Sequence, residues 1–178
     1  MSEAPSFPRL DRIRADDGRG GFRSSSAALD LFFSKHAFDN DTRGIGRTYV
    51  LRGDPGDKSS PMVLGFFTVS MATATSDDLS QVEVHKLPRY PMPVALIGRL
   101  ATDERVRGKR HGERLLIEAL RLILSAADSI GCLGIIVDAK DERAAGFYEK
   151  YGFTVLAGQA AFPRRMYMPI ETARASVV

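Results

Sequence analysis

Val94-Ala95-Leu96-Ile97-Gly98-Arg99-Leu100-Ala101 runs directly into Thr102-Asp103-Glu104-Arg105-Val106-Arg107-Gly108-Lys109-Arg110-His111-Gly112. The first run reads as a strand. The second is a basic turn that opens a helix. Leu115, Leu116, Ala119, Leu122, Ile123 and Ala126 recur at helical spacing and form its expected core face. A helix N-terminus presents unpaired backbone N–H groups and the positive end of the helix dipole, which together suit a phosphate. Gly108 and Gly112 allow close backbone approach, while Arg107, Lys109, Arg110 and His111 add positive charge. The pattern is neither a P-loop nor the dinucleotide G-x-G-x-x-G. Taken alone, a Gly-flanked basic turn is more often plain surface than a ligand site.

Working outward, residues 132–138 read as a strand, 141–151 as a short helix, and 154–157 and 165–170 as further strands. A strand–helix–strand succession implies a right-handed parallel crossover. Upstream, Ser24-Ser25-Ser26 offers N-cap oxygens to a helix carrying Ala28, Leu29, Leu31, Phe32, Phe33 and Lys35, expected to end before Asp39-Asn40-Asp41. Arg47–Leu51 and Met62–Met71 read as strands around the turn cluster Gly53-Asp54-Pro55-Gly56-Asp57, which makes an antiparallel hairpin. Residues 73–93, with Pro88, Pro91 and Pro93, read as a surface segment with room for a short helix. The expectation is an α+β domain over 21–170, with a mixed central β-sheet and flanking helices. Residues 1–20 form an irregular lead-in, and the tail 171–178 frays.

The bulk properties bound the class. A chain of 178 residues, 44% hydrophobic and 26% charged, buries enough surface on folding to need no disulfide or metal staple. The single cysteine, Cys132, excludes a disulfide framework and a cysteine metal site. Its apolar neighbours Leu133, Ile135 and Ile136 favour a packed thiol over a catalytic one. No metal is expected. The N-terminus carries Glu3, Arg9, Asp11 and Arg12 and lacks an apolar core, so it does not read as a secretory signal. No uncharged run approaches the roughly 20 residues of a membrane span. The expected location is the cytoplasm. Net charge is +3 with a pI near 9.2, which is compatible with polyanionic ligands.

A second element raises the weight of the basic turn. Asp141-Glu142-Arg143-Ala144-Ala145-Gly146-Phe147-Tyr148-Glu149-Lys150-Tyr151-Gly152-Phe153 reads as a short helix with Gly152 as its C-cap and Phe147 and Phe153 as core anchors. Packing accounts for everything there except Tyr148.

The run Arg107-Gly108-Lys109-Arg110-His111-Gly112 resembles the pyrophosphate loop of the GNAT acetyltransferases, (Q/R)-x-x-G-x-(G/A). Asp141-x-x-Ala144-x-x-Phe147-Tyr148-x-x-x-Gly152-Phe153 resembles that superfamily's second cofactor signature. The two occur in the expected order and spacing. One departure stands out: Arg110 replaces the middle glycine, which costs of order 1 kcal/mol if that position needs φ > 0. The likeness extends to the TacT-type GNAT toxins of bacterial toxin–antitoxin pairs through Leu29-x-x-Phe32-x-x-x-x-Ala37, Arg47-Thr48-Tyr49-Val50, Ile97–Ala101, Val137–Glu142 and Pro163–Pro169. It covers about residues 22–170.

The resemblance implies acetyl-CoA as the cofactor, with Leu100, Ala101 and Thr102 meeting the pantetheine and polarising the thioester carbonyl. Arg107, Gly108, Lys109, Arg110, His111 and Gly112 would take the pyrophosphate, and Asp141 and Phe147 belong to the second cofactor signature. It also implies aminoacyl-tRNA as acceptor, a ribbon-helix-helix antitoxin as partner, and a homodimer. Tyr148 is the candidate general acid, because a phenol stays protonated at pH 7 and matches a thiolate leaving group; the bland alternative is a packing tyrosine.

No histidine among His36, His85 and His111 sits in a recognisable dyad. Glu83 reads as a solvated strand-edge charge or a base acting through water. An α-amine titrates near 7.7–8.0 and needs little help, whereas a lysine near 10.4 needs a base. The missing base therefore favours an α-amine acceptor. Lys35, Arg43, Arg47, Lys86, Arg89 and Arg99 are the candidate tRNA-contacting cations. Two alternatives stay open: a GNAT enzyme acting on a protein N-terminus, polyamine or small metabolite amine, and a GNAT domain that binds CoA or a partner without catalysis.

Overall fold

The computed structural model describes residues 6–83 and 85–177. In chain order the elements are β1 (Arg9–Arg12), α1 (Ala27–Lys35), α2 (Ala37–Thr42), β2 (Arg47–Arg52), β3 (Val63–Ala74), α3 (Ser76–Leu79), β4 (Met92–Thr102), α4 (His111–Ala127), β5 (Gly134–Ala139), α5 (Glu142–Lys150), β6 (Thr154–Val155), β7 (Arg164–Pro169) and α6 (Ile170–Ser176). The seven-stranded sheet has the order β1-β2-β3-β4-β5-β7-β6. It is mixed: β4 and β5 pair in parallel, while β1–β2, β2–β3, β5–β7 and β6–β7 pair antiparallel. The chain divides into two compact units, Met1–Val69 with Arg99–Glu118, and Ser70–Gly98 with Ala119–Val178.

In the first unit the expected hairpin forms, with Tyr49 opposite Phe67 and Val50 opposite Phe66. Phe66 is fully buried and stacks on Phe33 at 4.3 Å, and Phe22 closes edge-on over both rings. Burying such a ring contributes on the order of 2–3 kcal/mol, which fixes α1 against the hairpin. Ser26 caps α1 by accepting from the Leu29 amide at 3.3 Å, as the serine run predicts.

Three local expectations differ from what forms. Helical backbone resumes at Ala37 after a break at His36, because Ala37 packs into the core and Asp41 is consumed inside the fold. Its carboxylate accepts from the Thr48 amide at 2.9 Å and from Arg12 Nε at 3.1 Å. The lead-in is not irregular throughout: Arg9–Arg12 form β1 on the edge of β2, held further by the bond from Arg52 Nε to Asp17 at 2.6 Å. Residues 1–5 lie outside the described residues. Part of the tail is helical rather than frayed, since Ala173 is fully buried and Arg174 reaches Asp128 at 2.8 Å.

In the second unit, Ala74, Leu79, Met92, Val94, Ile136, Leu156 and Tyr167 form one core cluster. Gly134 is required there: a Cβ at this position would stand 2.3 Å from the Tyr167 ring. The buried face of α4 uses Leu120 and Leu124 where Leu122 and Ala126 were expected. The 116–120–124 row lies one helical step from 115–119–123, and the two rows make one continuous stripe.

Candidate functional site

The first unit carries the basic turn. Thr102 ends β4, and the adjoining Asp103 amide donates to the Leu64 carbonyl at 2.9 Å. Asp103 itself is fully buried. Its carboxylate accepts from the Arg23 amide at 3.1 Å, from the Arg105 amide at 3.0 Å, and from Arg105 Nε and Nη2 at 2.8 and 2.7 Å. Burial opposes the charge, but these donors outweigh it and hold the Asp103 carboxyl below the usual range. Arg105 Nη2 also reaches the Gly21 carbonyl at 2.7 Å. This clamp fixes where the turn begins. Sequence patterning alone did not single it out, although an Asp whose side chain accepts from the amide two residues on, here Arg105, is a recognisable turn-capping arrangement.

Beyond a short 3₁₀ turn at Glu104–Val106, the backbone turns left-handed twice, at Gly108 with φ 80° and at Arg110 with φ 61°. Arg110 is the one non-glycine residue with positive φ among the described residues. The replaced glycine therefore does stand at a position that favours glycine. The Arg114 amide closes onto the Arg110 carbonyl at 3.1 Å, so the amides of His111, Gly112 and Glu113 precede the first intrahelical bond of α4. A Cβ built at Gly108 meets nothing within 4 Å, and Arg107, Lys109 and Arg110 are exposed. Burial, then the charges of Lys109 and Arg114, push the His111 imidazole below its ordinary value, so its N–H is a neutral donor near pH 7. Open backbone, helix-start amides and exposed cations together fit a pyrophosphate. Leu100, Ala101 and Thr102 stand in the same unit immediately before the clamp. Gly65 lets β3 approach them, since a Cβ there would lie 2.8 Å from the Ala101 carbonyl and 2.7 Å from Leu115.

The second unit carries Tyr148. The Asp141 side chain accepts from the Ala144 amide at 2.8 Å and so caps α5. Phe147 packs edge-on to both Tyr148 and Tyr151. Tyr148 is only 7% exposed. Burial first, then the charge of Asp138, raise its phenol far above the ordinary value, so it remains a proton donor across the accessible pH range. Gly152, at φ 101°, ends the helix as expected.

The remaining candidates separate by partner. Arg43 pairs with Asp39 at 3.8 Å, and Arg47 donates to the Asp41 carbonyl at 2.6 Å. Arg99 instead lies over the Phe32 ring at 3.7 Å, and burial alone lowers its pKa. Lys35, Lys86 and Arg89 are exposed. Glu83 is not on a strand: its carboxylate accepts from the buried Tyr167 hydroxyl, which makes it a packing partner rather than a solvated edge charge. Cys132 is half-buried, donates to the Gly134 carbonyl at 3.4 Å and has a raised pKa through burial, as expected of a packed thiol. Among the described residues no cluster of side chains could hold a metal ion, and no helix is long and apolar enough to cross a membrane.

Residues 65–155 match the acetyltransferase (GNAT) domain family. Over 172 residues the chain is 30% identical to the tRNA-acetylating toxin of Mycobacterium tuberculosis, covering 97% of this chain and 96% of that one. It is 31% identical over 173 residues to the probable toxin TacT of Sinorhizobium fredii, covering 93% and 91%. Among solved structures, the KacTA–DNA complex superposes with a TM-score of 0.74 at 26% identity, covering 94% of this chain and 96% of that chain. With the phosphate-ready turn, the tyrosine-bearing helix and near-full-length likeness to two such proteins, the chain belongs to the GNAT acetyltransferases, in the group that includes the TacT toxins.

Proposed function

We propose that the chain is the toxin of a toxin–antitoxin pair and moves acetyl from acetyl-CoA to the α-amine of aminoacyl-tRNA. The observation that carries this reading is the near-full-length likeness to a tRNA-acetylating toxin. The absence of a recognisable base dyad supports it, since an α-amine titrating near 7.7–8.0 loses its proton near pH 7 far more readily than a lysine near 10.4.

The acetyl thioester supplies an activated acyl group. His111, Gly112 and Glu113 amides, with Arg107, Lys109 and Arg110, neutralise the pyrophosphate. Backbone donors of Leu100–Thr102 lie beyond the short ladder that β4 makes with β5 at Ala95–Ile97; they polarise the carbonyl, a contribution of about 3–4 kcal/mol in comparable sites. The amine nitrogen forms the new C–N bond and the C–S bond breaks. Tyr148 gives its proton to the departing sulfur, and the ammonium proton leaves to water. Asp141 acts through α5, whose N-terminus it caps, and Phe147 positions the Tyr148 ring. Lys35, Lys86, Arg89 and Arg99 meet tRNA phosphates, while Arg43 and Arg47 chiefly hold α2 and β2.

A homodimer, a cytoplasmic location and a DNA-binding antitoxin of ribbon-helix-helix type complete the reading. The likeness to a structure named as a KacTA–DNA complex supports such a partner. The test is transfer of labelled acetyl to bulk charged tRNA, with deacylated tRNA and spermidine as controls. Label confined to charged tRNA is expected. Label on spermidine or none at all, with acetyl-CoA binding intact, overturns the reading.

A further inference from the structure

The second unit holds a cavity of about 380 Å³ that the roles above leave unused. Its apolar floor is Ala74, Ile136, Leu156 and Pro163, and its polar wall includes Asp78, Asp138, Gln159 and Arg165. Asp138 is the connecting residue. It lines the cavity from β5, the strand on which α5 packs, and its charge is felt at the Tyr148 phenol. A cavity lined from the strand that supports the proton donor's helix is placed to receive whatever accepts the acyl group.

The wall chemistry narrows the ligand. Arg165 holds Asp138 through Nε at 3.0 Å and Nη2 at 3.1 Å, one bond on each carboxylate oxygen. Each oxygen keeps a second acceptor site, and both residues remain partly exposed. Asp78 is fixed by the Thr75 amide and hydroxyl at 2.9 and 2.8 Å. Two carboxylates against one guanidinium leave the wall net negative. Its carboxylates therefore accept charge-assisted N–H hydrogen bonds from a primary amine and repel a carboxylate, while the floor accepts an uncharged side chain.

We propose that this cavity seats the aminoacyl group of the acceptor, with Asp138 as the positioning residue that receives the amine, and that it selects against acidic aminoacyl groups. The inference rests on the aminoacyl-tRNA reading above.

The experiment compares wild type, Asp138→Asn and Asp138→Glu for acetyl transfer to tRNAs charged with glycine, isoleucine, aspartate or glutamate. Loss of a charge-assisted contact is expected to raise the KM for neutral aminoacyl-tRNA by roughly tenfold in Asp138→Asn. The KM for acetyl-CoA should stay unchanged, which also reports that the variant is folded, and Asp138→Glu should recover part of the loss. Wild type should use the acidic aminoacyl-tRNAs least, and Asp138→Asn should narrow that gap. An unchanged KM in Asp138→Asn, or equal use of acidic and neutral groups by wild type, overturns the pocket assignment while wild-type transfer keeps the functional reading intact. No wild-type transfer to any charged tRNA overturns both.

Discussion

The amide of Phe153 donates to the carbonyl of Tyr148 at 3.1 Å, and the two rings meet edge-on at 5.5 Å. Gly152, between them in the chain, makes the return possible through its positive φ. Tyr148 is thus held by its backbone and its ring face, so removing its hydroxyl should leave the ring in place. Tyr148→Phe is expected to lower kcat about 10²–10⁴-fold, the usual range for a general acid, with acetyl-CoA affinity unchanged. Stopped-flow transfer and calorimetric titration separate the two effects. Wild-type kcat in this variant removes Tyr148 from the chemistry.

Arg110 presents a trade between fold and ligand. At φ 61° it carries left-handed strain, and the Glu113 carboxylate stands 4.0 Å from its guanidinium. Arg110→Gly should therefore raise stability by up to about 1 kcal/mol, a Tm gain of roughly 2–4 °C for a chain of this size. Acetyl-CoA affinity should fall as a cation is lost from the turn. A lower Tm in this variant contradicts the strain argument.

Much of this was legible in the sequence, for identifiable reasons. The hairpin, the α4 stripe, the serine cap of α1 and the Gly152 stop are all encoded by neighbours in the chain. What the sequence did not disclose depends on partners far away. Arg9–Arg12 become a strand because Tyr49–Arg52 offers an edge. Asp41 looks like a helix breaker until Arg12 and Thr48 consume it. Asp138 and Arg165, 27 residues apart, become one wall through the β5–β7 ladder, where they stand directly opposite. Tyr148 was legible from its motif, whereas its coupling to Asp138 was not.

Gly65 tests the packing that brings β3 against the end of β4. An added methyl would stand 2.7 Å from Leu115 Cδ1 and 2.8 Å from the Ala101 carbonyl, and the backbone atom cannot step aside. Gly65→Ala is expected to cost about 1–3 kcal/mol in urea unfolding. Gly20→Ala, whose methyl meets nothing within 4 Å, should stay within about 0.5 kcal/mol of wild type. Equal stability of the two variants refutes the close approach.

Arg99 and Arg47 should behave differently although both were candidate tRNA contacts. Arg99 rests on Phe32, so Arg99→Ala should raise the KM for charged tRNA and reduce the slope of log affinity against log salt by about one. Arg47 donates to the Asp41 carbonyl, so Arg47→Ala should act mainly on Tm. A salt slope unchanged in Arg99→Ala excludes a phosphate contact there.

His111 gives the turn a pH signature with a definite sign. Burial and the charges of Lys109 and Arg114 depress its pKa, so below about 6.5 the unfolded chain binds this proton more readily than the folded one. Its contribution to stability is intact above that value and is lost as pH falls from it toward the depressed folded pKa. An anion at the turn favours the imidazolium, so acetyl-CoA should bind more tightly over the same interval. Wild type should lose more Tm between pH 7.5 and 5.5 than His111→Gln does, and saturating acetyl-CoA should shrink the difference. Parallel Tm curves for the two proteins, with and without acetyl-CoA, would show that His111 neither carries the depressed pKa nor faces the bound anion.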